Sequence, residues 1–126
     1  MQEEYIVGRV IHGLHLGQKL GFPTANLDRR RYGKKTPVFR FGVYAGTAQI
    51  RGSKKVYRAA IVIGPLDKRG LPKLEAHLLG FKGVLYGKYL SIQPAKFIRP
   101  FTVYKSKEAL IRQIRRDVAN IRKVKL

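Results

Sequence analysis

The sequence predicts an all-β barrel followed by one C-terminal helix, and three observations carry that prediction. Short apolar runs separated by Gly and Pro fill the chain as far as Phe97. The stretch Arg51 to Lys54 places Gly and Ser between two β-rich runs and reads as a hairpin turn, which makes its flanking strands antiparallel neighbours. Only near the end does the spacing become helical. The strands are expected at Tyr5 to Ile11, Gly42 to Ile50, Val56 to Ile63, Lys73 to Leu79 and Tyr89 to Phe97, with a short sixth around Ala25 to Leu27. Five or six such strands imply a barrel. The helix is expected from Ser106, a natural N-cap, with Glu108 in the first turn, where a negative charge suits the dipole. Leu110, Ile114, Val118 and Ile121 recur four, four and three residues apart, so they form one stripe to be packed on the barrel.

Length and composition bound the rest. With 126 residues the chain is read as a single domain, 1–126, too short for two catalytic domains side by side. It has no Cys, which removes disulfides, zinc fingers and thiol nucleophiles. Lys and Arg number 27 against 7 Asp and Glu, a formal net charge of +20, which favours anionic partners. No secretory signal and no bilayer-length apolar stretch is present, and the expected location is the cytoplasm. Arg112, Arg115, Arg116 and Arg122 fall outside the apolar stripe. Their plain reading is a solvated cationic face, and their sharper one a nucleic-acid-binding surface. The basic segment Asp28 to Lys35 has the look of a mobile loop.

Two segments could carry chemistry. In Gly13 to Leu27, GLHLGQKLGFPTANL, the glycines Gly13, Gly17 and Gly21 stand four apart and would let backbone approach a ligand closely. The segment matches neither a Walker A loop nor a dinucleotide fingerprint. It is read as a Gly-rich loop whose N–H groups face phosphate oxygens. It ends in Thr24 and Asn26, hard oxygen ligands suited to Mg²⁺, with Pro23 stiffening the geometry. The plainer reading is a turn leading into a strand. In Lys73 to Leu79, KLEAHLL, alternation puts Leu74, Ala76 and Leu78 on one face and Lys73, Glu75 and His77 on the other. Glu75 and His77 would project side by side, their Cα atoms about 6.5 Å apart, as a candidate general base beside an orienting group. The alternative is a solvent-facing polar edge. Neighbouring cations should keep Glu75 ionised and weakly basic, which phosphoryl transfer tolerates. His12, His15 and His77 lack metal-site spacing, and no Ser sits in a nucleophile elbow.

Taken in order, GRVIHGLHLGQKLGFPTANL, GVYAG, LEAHLLGF, LYG and the Ile98-Arg99 pair before a terminal helix resemble the riboflavin kinase (flavokinase) family, including the C-terminal module of bacterial bifunctional FAD synthetases. The resemblance runs from Tyr5 to about Ile121. It implies a six-stranded antiparallel Greek-key β-barrel over about residues 5–100 with a helix at about 106–123. It also implies Mg²⁺-dependent transfer of the γ-phosphoryl of a nucleoside triphosphate, ATP first, to the ribityl 5′-hydroxyl of riboflavin, giving FMN. Thr24 and Asn26 would hold Mg²⁺ and phosphate. Gly13, Gly17, Lys19, Gly21, Phe22 and Pro23 would wrap the nucleotide with them. Glu75 would be the base, and Glu75, His77 and Arg99 would border the flavin.

The chain departs from the family pattern in places. Val62-Ile63-Gly64-Pro65-Leu66 stands where members carry a polar Asn-Ile-Gly-Thr-type run; Gln18 replaces an Arg, Gly80 an Asp, and Phe101 an acidic residue. No His-x-Gly-His motif for adenylyl transfer is present, so FAD synthesis is not expected of this chain alone. Two alternatives stand beside the kinase: a small basic barrel binding nucleic acid, and a flavin-binding module without turnover. The expected partners are small-molecule substrates, with no membrane and a monomeric state.

Overall fold

A computed structural model describes residues 6–11, 24–28, 39–66, 68 and 70–126, with Thr24 described by its backbone alone. Six strands, β1 (Ile6–Ile11), β2 (Thr24–Leu27), β3 (Gly42–Ile50), β4 (Val56–Leu66), β5 (Pro72–Leu78) and β6 (Tyr89–Pro100), precede the helix α1 (Lys107–Lys123). They close into an antiparallel barrel in the order β1-β2-β5-β4-β3-β6. Every strand expected from the sequence is present. The β3–β4 turn is the tight hairpin anticipated, with Gly52 at φ 87° and the Ser53 N–H bonded to the Ile50 carbonyl at 3.0 Å.

Alternation sends one side chain in two into the barrel. Ala25, Leu27, Tyr44, Ile61, Ile63, Leu74, Ala76, Leu78, Leu90 and Ile92 fill it. A second, smaller cluster lies on the outer surface, where Val43, Ala45 and Ala60 meet Ile121 of α1. The terminal helix thus covers the outside of β3 and β4.

Two polar devices fix the helix at its ends. The Ser106 hydroxyl accepts from the Ala109 N–H at 3.1 Å, the expected N-cap. At the C-terminal end, Arg58 of β4 donates to the Ile121 carbonyl at 2.7 Å and to that of Val124, so a cation satisfies carbonyls that have no helical partner. The apolar stripe divides in two. Val118 and Ile121 are buried, as expected, but only Ile121 joins a tight core, while Leu110, Ile114 and Val118 line a cavity between helix and sheet.

Strands β4 and β6 outrun their expected limits, to Leu66 and Pro100. The β4–β5 register shifts between Ile63 and Leu66, so Pro65 sits at an irregularity where no ladder hydrogen bond is required. In β6 the register to β3 shifts between Ala45 and Gly46. A Cβ at Gly46 would stand 2.1 Å from the Gln93 carbonyl oxygen, so glycine permits that bulge.

Candidate active site

Antiparallel pairing places directly opposed residues on the same face of the sheet. Asn26 is opposite Glu75, Glu75 opposite Val62, Val62 opposite Val43, and Val43 opposite Arg99. One row therefore crosses five strands on the outer surface, with a carboxylate near one end and a guanidinium at the other. From Glu75 to Arg99 it passes three strand spacings, about 14 Å. The next row begins with Thr24 opposite His77 and continues to Ala60. Register thus brings the Thr24 and Asn26 positions of β2 beside His77 and Glu75 of β5.

A cavity of about 250 Å³ occupies this surface beneath α1. Val43, Ala60 and Val62 form its floor, Leu110, Ile114 and Val118 its roof, and the segment from Phe101 to Tyr104 one side. Lys73, Glu75 and His77 stand at one end, and Arg99 and Asp117 also line it. The shape is an apolar slot with a charged group at each end.

The polar face of β5 is not a solvent-facing edge. His77 is only 4% exposed and the Glu75 side chain 16%. The imidazole Nε2 lies 2.8 Å from Glu75 Oε1, and Lys73 Nζ lies 3.4 Å from Oε2. Burial by itself would push the Glu75 carboxyl up. The hydrogen bond and charge of His77, followed by those of Lys73, outweigh it and hold the group below the ordinary carboxylate range. Glu75 is consequently ionised and pointed, a weak base fixed in direction.

At the other end, Arg99 Nε donates to Asp117 Oδ1 at 3.0 Å and Nη2 to Oδ2 at 2.8 Å, a bidentate pair joining β6 to α1. Gln113 Nε2 donates to the same Oδ1 at 3.0 Å. The hydrogen bond to Asp117 raises the Arg99 pKa further above its usual value. Asp117, 5% exposed, escaped the sequence reading. The signal that could have exposed it was a lone carboxylate in a run of cations, one residue from the buried stripe.

Val62 and Phe101, noted separately as departures, meet at this one cavity. Gly64 admits the second of them, since a Cβ there would lie 2.8 Å from Lys73 Cβ and 3.2 Å from the Phe101 ring. Gly80 has φ +81°, a left-handed turn conformation that glycine adopts freely. Gly13, Gly17, Gln18, Lys19, Gly21, Phe22 and Pro23 lie outside the described residues, as do His12, His15 and residues 29–35 of the basic segment.

Comparison with known proteins decides the lineage, because the riboflavin kinase (flavokinase) family profile matches residues 2–125. The chain belongs to the riboflavin kinase family. It is similar to the bifunctional riboflavin kinase/FMN adenylyltransferase of Pseudomonas fluorescens, 37% identical over 93% of this chain and 37% of that one. It is 32% identical to human riboflavin kinase over 92% of this chain and 77% of the human one. The crystal structure of riboflavin kinase from Trypanosoma brucei superimposes with a TM-score of 0.61 at 27% identity, covering 97% of this chain and 79% of that chain. The chain therefore spans little more than a third of the bifunctional relative and somewhat over three quarters of the human and Trypanosoma brucei riboflavin kinases. Among the described residues, no helix is long and apolar enough to cross a membrane.

Proposed function

We propose that this chain phosphorylates riboflavin, transferring the γ-phosphoryl of a nucleoside triphosphate, ATP first, to the ribityl 5′-hydroxyl to give FMN. One observation carries the reading: a single slot joins an apolar floor and roof to a fixed carboxylate, with Thr24 and Asn26 in register beside it. The planar isoalloxazine would lie between Val62 and Ile114, its apolar faces covered, and the polyol would run along the row toward Glu75. Family membership supports the same substrate.

In the step proposed, the 5′-hydroxyl oxygen forms a bond to the γ-phosphorus as the bond from that phosphorus to the bridging oxygen breaks. The nucleoside diphosphate leaves, and the hydroxyl proton passes to a Glu75 carboxylate oxygen. A loose transition state needs this base chiefly for orientation, which suits a carboxylate held ionised by His77 and Lys73. A divalent metal would suit the donor types here: Asn26, opposite Glu75 in register, carries a hard amide oxygen, and Thr24, two residues before it in β2, is a hydroxyl-bearing residue of the same hard class. When bound there, Mg²⁺ would neutralise phosphate charge. Arg99 would contribute to the far end of the flavin slot while Asp117 holds it in place.

A second reading, a flavin-binding module without turnover, draws support from Val62 and Phe101, which make the slot more apolar. Incubating the chain with riboflavin, Mg²⁺ and each common nucleoside triphosphate, then separating flavins by chromatography, tells the two apart. FMN formation supports the kinase. Tight riboflavin binding with no FMN from any triphosphate overturns it.

A further inference from the structure

We propose that the outward face of α1 binds the phosphate backbone of nucleic acid. Arg112, Arg115, Arg116, Arg122 and Lys123 are all exposed. At about 100° per residue they fall within an arc of about 120° that excludes the buried residues Asp117, Val118 and Ile121. The two carboxylates of the helix leave this stripe charged. Asp117 is buried against Arg99, and Glu108, one turn before Arg112 on the same face, can offset that one cation and leaves the other four.

Spacing fits the ligand. From Arg112 to Lys123 the helix rises about 16 Å, a length over which a duplex presents about nine phosphates. Each of the five cations can thus face a phosphate without the nucleic acid bending. The chemistry also selects among polyanions. A helix that lies on anionic lipid inserts its apolar face, whereas here that face is committed to the barrel and the flavin slot, leaving Ala119 as the apolar residue on the outside. A protein partner would need an apolar anchor that the face lacks for the same reason. Contacts from these cations to phosphate oxygens carry no sequence information, so the binding proposed is sequence-independent. A net charge of +20 adds long-range attraction.

The test is fluorescence anisotropy of the full chain with a labelled single-stranded RNA and a labelled DNA duplex of unrelated sequences, titrated between about 50 and 200 mM salt. Log affinity should fall with log salt at a slope of about −3.5 to −4.5 for five contacts. The triple variant R112Q/R115Q/R122Q should reduce the steepness of that slope by about 2 to 3, while R112K/R115K/R122K should retain it. The comparison variant R9Q/R51Q/K88Q removes equal charge around β1, where Arg51 stacks on the ring of Tyr89 opposite Arg9, and β1 lies across the barrel from β4. It should leave the slope nearly unchanged. Equal losses from both triples would overturn the proposal, because binding would then reflect net charge alone. So would absence of binding at low salt, or competition by anionic lipid vesicles in place of oligonucleotides. The readout is oligonucleotide binding, so failure of the kinase reading would leave this test intact.

Discussion

Replacing Asp117 by Ala removes the acceptor that ties α1 to β6 and leaves a guanidinium in the slot without its counter-charge. Three hydrogen bonds end on that carboxylate, two from Arg99 and one from Gln113. Breaking a buried ion pair by deleting one partner costs about 3–5 kcal/mol. Here the Arg99 side chain keeps 20% of its exposure and can recruit water, which reduces the expected loss to about 2–4 kcal/mol. Asp117→Asn preserves shape and one acceptor oxygen and should cost about half as much. Equilibrium urea unfolding measures both. The midpoint should fall with the m-value unchanged, since the surface exposed on unfolding stays the same. Because Arg99 and the helix roof bound the slot, riboflavin KM should also rise. A double-mutant cycle with Arg99→Ala should return a coupling above about 1 kcal/mol. A loss below about 1 kcal/mol for Asp117→Ala, or no coupling, would refute the view that this pair holds the helix over the slot.

Other perturbations probe separate features. Gly64→Ala brings a methyl to 2.8 Å from Lys73 Cβ and against the Phe101 ring; overpacking of this kind costs about 1–3 kcal/mol, read as a lower melting temperature, and displaced Phe101 should weaken riboflavin binding in a fluorescence titration. The Glu75 carboxyl, followed by carbon NMR, should titrate below 4.5, its ordinary value. Its folded-state pKa is depressed, so its contribution to stability is complete above the unfolded value and disappears as pH falls through the folded one; Glu75→Gln should abolish that part of the acid sensitivity. A midpoint above 4.5 would mean that burial outweighs His77 and Lys73. Ser106→Ala should cost about 1 kcal/mol by unmaking the N-cap bond.

The elements were legible because their signals are local. Alternation marked β5 and its two faces, the Gly-Ser turn marked the β3–β4 hairpin, and Ser106 with the Leu110-to-Ile121 stripe marked the helix. What escaped depends on tertiary pairing. The extension of β4 past Ile63 was hidden because the bulge that accommodates Pro65 arises only from register with β5. Glu75 and His77 could be placed on one face but not shielded, since their burial depends on tertiary packing that alternation within β5 does not show. Asp117 was lost among arginines because its partner, Arg99, belongs to another element. The split in the helix stripe was illegible too: Leu110, Ile114 and Val118 share one periodicity with Ile121, and only the sheet beneath decides that Ile121 meets a core while the other three roof a slot.

The central claim is that Glu75 orients the acceptor hydroxyl at the end of a flavin slot. Single-turnover FMN formation by Glu75→Gln, alongside its riboflavin affinity, tests it most directly. The account predicts a rate lower by about 10²- to 10⁴-fold with riboflavin still bound within a few-fold of the unmodified chain. A variant that forms FMN at more than about a tenth of the unmodified rate would contradict it.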